Sequence, residues 1–110
     1  MENQENRYHP IIDKPWEYDI IEYRYHNKTD TNDESFIDIY FKKEKIIRKL
    51  RFIKPMKLII GEAFPHATSG FCILDIKKRQ WDRINVKVGN EEQGDSITFY
   101  SQDVIDLDID

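Results

Sequence analysis

From residue 16 onward, apolar and polar positions alternate with period two more often than they recur at helical spacing, which predicts a succession of β-strands. Trp16, Tyr18 and Ile20 share one parity while Ile21, Tyr23 and Tyr25 share the other, so the first strand is expected to change face at a bulge. The polar run from Asn27 to Glu34 reads as a loop. Phe36 to Phe41 reads as a second strand, with Ile37, Ile39 and Phe41 on one side. Residues 44–53 fit two periods at once. Ile46, Ile47, Leu50 and Ile53 keep helical spacing, whereas Ile47, Lys49, Arg51 and Ile53 form one side of a strand. Strand is the favoured reading there and one short helix the alternative. Met56 to Gly61 predicts another strand, followed by a polar loop from Glu62 to Gly70. Phe71–Ile76 and Arg83–Val88 predict a hairpin, and Ser96–Ser101 a further strand. At the end, Ile105, Leu107 and Ile109 alternate with Asp106, Asp108 and Asp110, the pattern of an amphipathic edge strand with an unpaired acidic face.

The expected fold is therefore all-β and mainly antiparallel: a small sandwich or barrel of about seven or eight strands, with that one short helix near 44–53 as the alternative. Residues 1–15, interrupted by Pro10 and Pro15, are expected to form a loosely ordered arm ahead of a single β domain at 16–110. A chain of 110 residues with six Phe, six Tyr and two Trp has enough large apolar side chains for one core. The polar start Met1–Asn6 lacks the pattern of a secretory signal, and the apolar runs near 57–61 and 71–74 are too short to span a bilayer. With a single Cys72 no internal disulfide forms, which fits a reducing compartment or a core that needs no covalent staple. These features lead to the expectation of a cytoplasmic protein without membrane contact.

Charge adds what periodicity cannot. The net charge of -4 divides into -6 over residues 1–41, +9 over 42–88 and -7 over 89–110. The basic centre is densest at Lys42, Lys43, Lys45, Arg48, Lys49 and Arg51, a set suited to phosphate neutralisation. The bland alternative is that acidic and basic strands pair across the sheet.

Catalytic chemistry finds little support. His9, His26 and His66 lack ligand spacing, so no metal site is expected. Cys72 lies between Phe71 and Ile73 with no neighbour that activates a thiol. No glycine-rich phosphate loop or dinucleotide fingerprint occurs, so no cofactor is expected. Two loops present an aromatic in polar company: Phe64-Pro65-His66 and Lys77-Lys78-Arg79-Gln80-Trp81. The binding candidates are accordingly Phe64, His66, Lys77, Lys78, Arg79 and Trp81, since Trp and Arg are enriched among residues that carry binding energy. Trp81 folded back as a lid on the sheet is the structural counterpart of that reading.

The order of short strands through Arg48–Ile60, Phe71–Ile76, Arg83–Val88 and Ile97-Thr98-Phe99-Tyr100 resembles the small all-β immunity proteins of bacterial toxin systems. The likeness covers about residues 48–107 and lies in the cadence of strands rather than in a residue motif. It implies a non-catalytic inhibitor that covers a toxin's active surface, and acidic chain ends would suit a basic nuclease toxin. The leading expectation is thus a non-catalytic module whose partner is another protein. The alternative is a nucleic-acid-binding protein using the basic 42–88 segment. Weaker still is a small-ligand binder or enzyme whose pocket joins residues distant in sequence.

Overall fold

A computed structural model describes residues 7–27, 35–61, 70–76, 84–89 and 97–108. Two antiparallel sheets face each other, without closing into a barrel. The first sheet contains β2 (Asp19–His26), β3 (Phe36–Lys43), β4 (Ile46–Ile53) and β9 (Asp103–Asp106), in the spatial order β2-β3-β4-β9. The second contains β1 (Arg7–Tyr8), β6 (Cys72–Asp75), β7 (Val86–Gly89), β8 (Ile97–Ser101) and β5 (Met56–Ile60), in the order β1-β6-β7-β8-β5. Among the described residues there are eight strands of four residues or more, plus the two-residue β1.

Inward-facing residues of both sheets build one core. Ile37, Ile39, Phe41, Leu50, Phe52 and Val104 come from the four-stranded sheet, and Ile73, Val86, Val88, Ile97 and Phe99 from the other. Phe52 meets Phe99 edge to face at 5.3 Å, and Phe41 meets Phe71 at 5.7 Å, so aromatic rings join the two layers. A smaller cluster of Leu74, Ile76 and Ile84, with Met56 and Tyr100 against it, lies apart from that core. β7 and β8 approach closely where Gly89 opposes Thr98. A Cβ at Gly89 would lie 2.5 Å from the Thr98 methyl, which explains glycine there.

The helical alternative at 44–53 is corrected: Ile46–Ile53 is strand β4, in unbroken register with β3 from Lys43↔Ile46 to Phe36↔Ile53. Only the period-two pair Leu50 and Phe52 is buried in β4, because a core beneath a sheet rewards alternate positions and Ile46 and Ile47 stay exposed at the hairpin end. The expected bulge in β2 is present. Register passes from Ile20↔Phe41 to Glu22↔Tyr40, so Ile21 is the extra, exposed residue and Tyr23 packs against the core.

Residues 7–15 attach to the five-stranded sheet. β1 pairs with β6, the His9 N–H donates to the Ile73 carbonyl at 2.8 Å, and Ile12 and Pro15 are buried before a 3-10 turn at Pro15–Glu17. β9 is an edge strand as expected, but with its faces exchanged. Val104 points to the core and Ile105 outward. Among the described residues, no helix is long and apolar enough to cross a membrane.

Candidate functional site

Phe64, His66, Lys77, Lys78, Arg79 and Trp81 lie outside the described residues. The six basic candidates all fall on the β3–β4 hairpin, where strand alternation sends them to different surroundings. Lys43 Nζ donates to Glu17 at 2.8 Å, tying β3 to the 3-10 turn. Arg48 donates to Asp106 and, at 3.0 Å, to the Ile11 carbonyl, joining β4 to β9 and to the amino-terminal segment. Arg51 grips Asp38 with two parallel bonds of 2.8 and 3.0 Å. Lys49 Nζ stands 5.4 Å from the Tyr40 ring centroid, while Lys42 and Lys45 are exposed. Three members of the basic cluster are thus matched by acids from sequence-distant segments.

The acidic end of the chain is not an unpaired face either. Asp106 holds Arg48 and accepts the Asp108 N–H, while Asp108 accepts the Lys49 N–H at 2.9 Å. Close to β4, these carboxylates find donors that a solvated edge would lack.

The Glu17–Lys43 pair sets one pH dependence. Its hydrogen bond from Lys43, followed by that ammonium's charge, holds the Glu17 carboxyl below its ordinary 4.5, and the same bond raises Lys43 above 10.5. The pair's contribution is therefore present from above pH 4.5 to below pH 10.5, fading in acid as Glu17 protonates and in base as Lys43 loses its proton. In Lys43→Met, Glu17 is expected to titrate at the ordinary carboxylate value. An NMR pH titration of its side chain checks this; an unchanged midpoint would show that Lys43 is not the cause.

On the outer face of the four-stranded sheet, the Arg51 guanidinium stacks 3.7 Å from the Phe36 ring centroid, and His26 stacks on the same ring at 4.9 Å. Beside this column, Ser35, Ile53 and Ile105 complete an open cleft of about 180 Å³. Both partners of Phe36 come from neighbouring strands, His26↔Phe36 and Phe36↔Ile53 being register pairs. The stack is cross-strand packing, and it consumes the aromatic surface on which a base could stack.

The other sheet presents a different surface. β5 pairs with β8 on one side and ends the sheet on the other. None of its residues belongs to the core between the layers. Its register slips by one residue between Met56↔Tyr100 and Ile59↔Thr98, with Lys57 at φ 59° in the bulge. Beyond the bulge Leu58, Ile59 and Ile60 are 40%, 65% and 55% exposed. No family model, curated protein or solved structure matches the chain. Pro55 and the Lys57 bulge blunt the start of this edge, but the three consecutive exposed aliphatics beyond them have no covering element among the described residues. Sequence reasoning placed a strand at 56–61 but missed this surface. The run Leu58-Ile59-Ile60, which breaks period-two alternation, was the available signal.

Proposed function

We propose that this chain is a non-catalytic protein-binding module that takes up an extended segment of its partner along the outer edge of β5. The observation that carries the reading is the exposure of Leu58, Ile59 and Ile60 on a strand with one unpaired edge among the described residues. A strand added there satisfies backbone donors and acceptors with main-chain bonds, while the aliphatic side chains supply apolar contact. Full burial of one such side chain contributes about 1.5–3 kcal/mol, so these three partly exposed ones add a few kcal/mol to what the main-chain bonds supply. The strand order that resembles immunity proteins supports a bacterial toxin as the partner, and the single Cys72 supports a cytoplasmic setting. Nucleic-acid binding through residues 42–88 draws less support, since Lys43, Arg48 and Arg51 are engaged with carboxylates.

The test is titration of the purified protein with the toxin encoded beside its gene, for wild type and Ile59→Lys. Ile59 lies outside the core, so circular dichroism should be unchanged. Affinity is expected to fall about 100-fold, equivalent to roughly 2.7 kcal/mol, and to depend little on salt. A complex of undiminished affinity with both Ile59→Lys and Leu58→Lys would remove β5 as the binding edge. Steeply salt-dependent RNA binding, lost on joint alanine substitution of Lys42 and Lys45, would move the function to nucleic acid.

A further inference from the structure

At the opposite end of the five-stranded sheet from β5, the chain folds an open groove of about 400 Å³ between β1 and the 3-10 turn. Its walls include Tyr8, His9, Pro10, Asp13, Lys14 and Trp16. The Tyr8 and Trp16 rings lie 5.0 Å apart, tilted by 50°, and form a continuous aromatic ridge. Tyr8 is 56% exposed and Trp16 half-buried. Among the described residues, neither the Tyr8 hydroxyl nor the Trp16 indole N–H has a hydrogen-bond partner.

The backbone beneath the ridge is held at several points. Ile12 and Pro15 are buried, the Ile11 N–H donates to His9 Nδ1 at 3.2 Å, and Arg48 donates to the Ile11 carbonyl. The Gly70 N–H donates to the Trp16 carbonyl at 3.3 Å, fixing the turn that carries the indole. A ridge anchored in this way loses little freedom when a ligand settles on it.

We propose that this groove binds a proline-rich segment of a partner protein in the polyproline II conformation. Such a segment has no internal hydrogen bonds and offers every backbone carbonyl as an acceptor, while its rings present flat apolar faces. The groove supplies what it lacks: two adjacent aromatic faces for the rings and two donors without a partner among the described residues, the indole N–H and the phenol, for carbonyls. Other occupants fit less well. An added β-strand needs a longer free edge than the two residues of β1, and an isolated cation would meet Lys14 beside Asp13. The site is separate from β5 and its occupancy is independent of the partner proposed there.

The probe is a ten-residue polyproline peptide, with a Gly/Ser peptide of equal length as comparison. The readout is the indole resonance of Trp16 in a nitrogen–proton correlation spectrum, assigned by its loss in Trp16→Phe. A saturable shift with polyproline alone is expected, with Kd below about 1 mM. Tyr8→Ala should weaken it at least about tenfold and Tyr8→Phe, which keeps the ring but removes the donor, by a smaller factor, whereas Ile59→Lys should leave it unchanged. Absence of a shift, an equal shift with the Gly/Ser peptide, or binding insensitive to Tyr8→Ala would overturn the proposal.

Discussion

Phe52→Ala is expected to lower the free energy of unfolding by about 3–5 kcal/mol. Phe52 is fully buried and its ring stands against Phe99 of the facing sheet at 5.3 Å. Truncation removes apolar area and one of the ring contacts that join the layers. Strands on both sides are tied into ladders, so the gap closes only in part. A domain of this size has about 5–15 kcal/mol in total, so the loss is a large fraction of it. Urea unfolding should show the midpoint falling with little change in slope, and Tm should drop by roughly 15 °C or more. Ile105→Ala, on an exposed side chain of β9, should change stability by no more than about 0.5 kcal/mol. Equal effects from the two substitutions would contradict the placement of the core.

Arg51→Ala is expected to destabilise by about 2–3 kcal/mol, and more than Asp38→Ala does. The asymmetry follows from burial. Asp38 is 1% exposed, whereas the Arg51 side chain is 32% exposed. Without Arg51, the carboxylate keeps its desolvation with no cation to offset it. Without Asp38, the guanidinium can turn towards water while still resting on Phe36. The hydrogen bonds from Arg51 to Asp38, with the attraction of that carboxylate, raise the guanidinium pKa above its already high ordinary value, so Arg51 carries its charge throughout the range in which the protein is folded near neutrality. A double-mutant cycle in urea should give a coupling energy above about 1 kcal/mol. A value near zero would show that the buried carboxylate is satisfied without Arg51.

Much of this architecture was legible in the residues. Period-two alternation marked Phe36–Phe41 as a strand, and the parity change after Ile20 located a bulge that holds Tyr23 against the core. The pairing of 71–76 with 83–88 was equally visible, and β6 and β7 are neighbours. Segment 44–53 was ambiguous because its turn carries no glycine or Asn-Gly signal. Glu44 takes φ 57°, a region that Glu seldom occupies, and only pairing with β3 along eight positions makes that conformation worthwhile. The end of the chain misled for a related reason. Val104 rather than Ile105 faces inward, a one-residue choice imposed by the β4–β9 register.

By itself, the sequence determined the fold class, the approximate strands and the segregation of charge, because side-chain periodicity and charge are local properties that a strand displays wherever it sits. Apart from the terminal strand, whose edge position its acidic alternation foretold, tertiary structure decided which strands lie at the edges, and therefore that Leu58-Ile59-Ile60 is left exposed. It also decided that Lys43, Arg48 and Arg51 meet Glu17, Asp106 and Asp38, partners 26, 58 and 13 residues away. Edge position and long-range pairing depend on the order in which strands assemble, a property of the whole chain that no local pattern encodes.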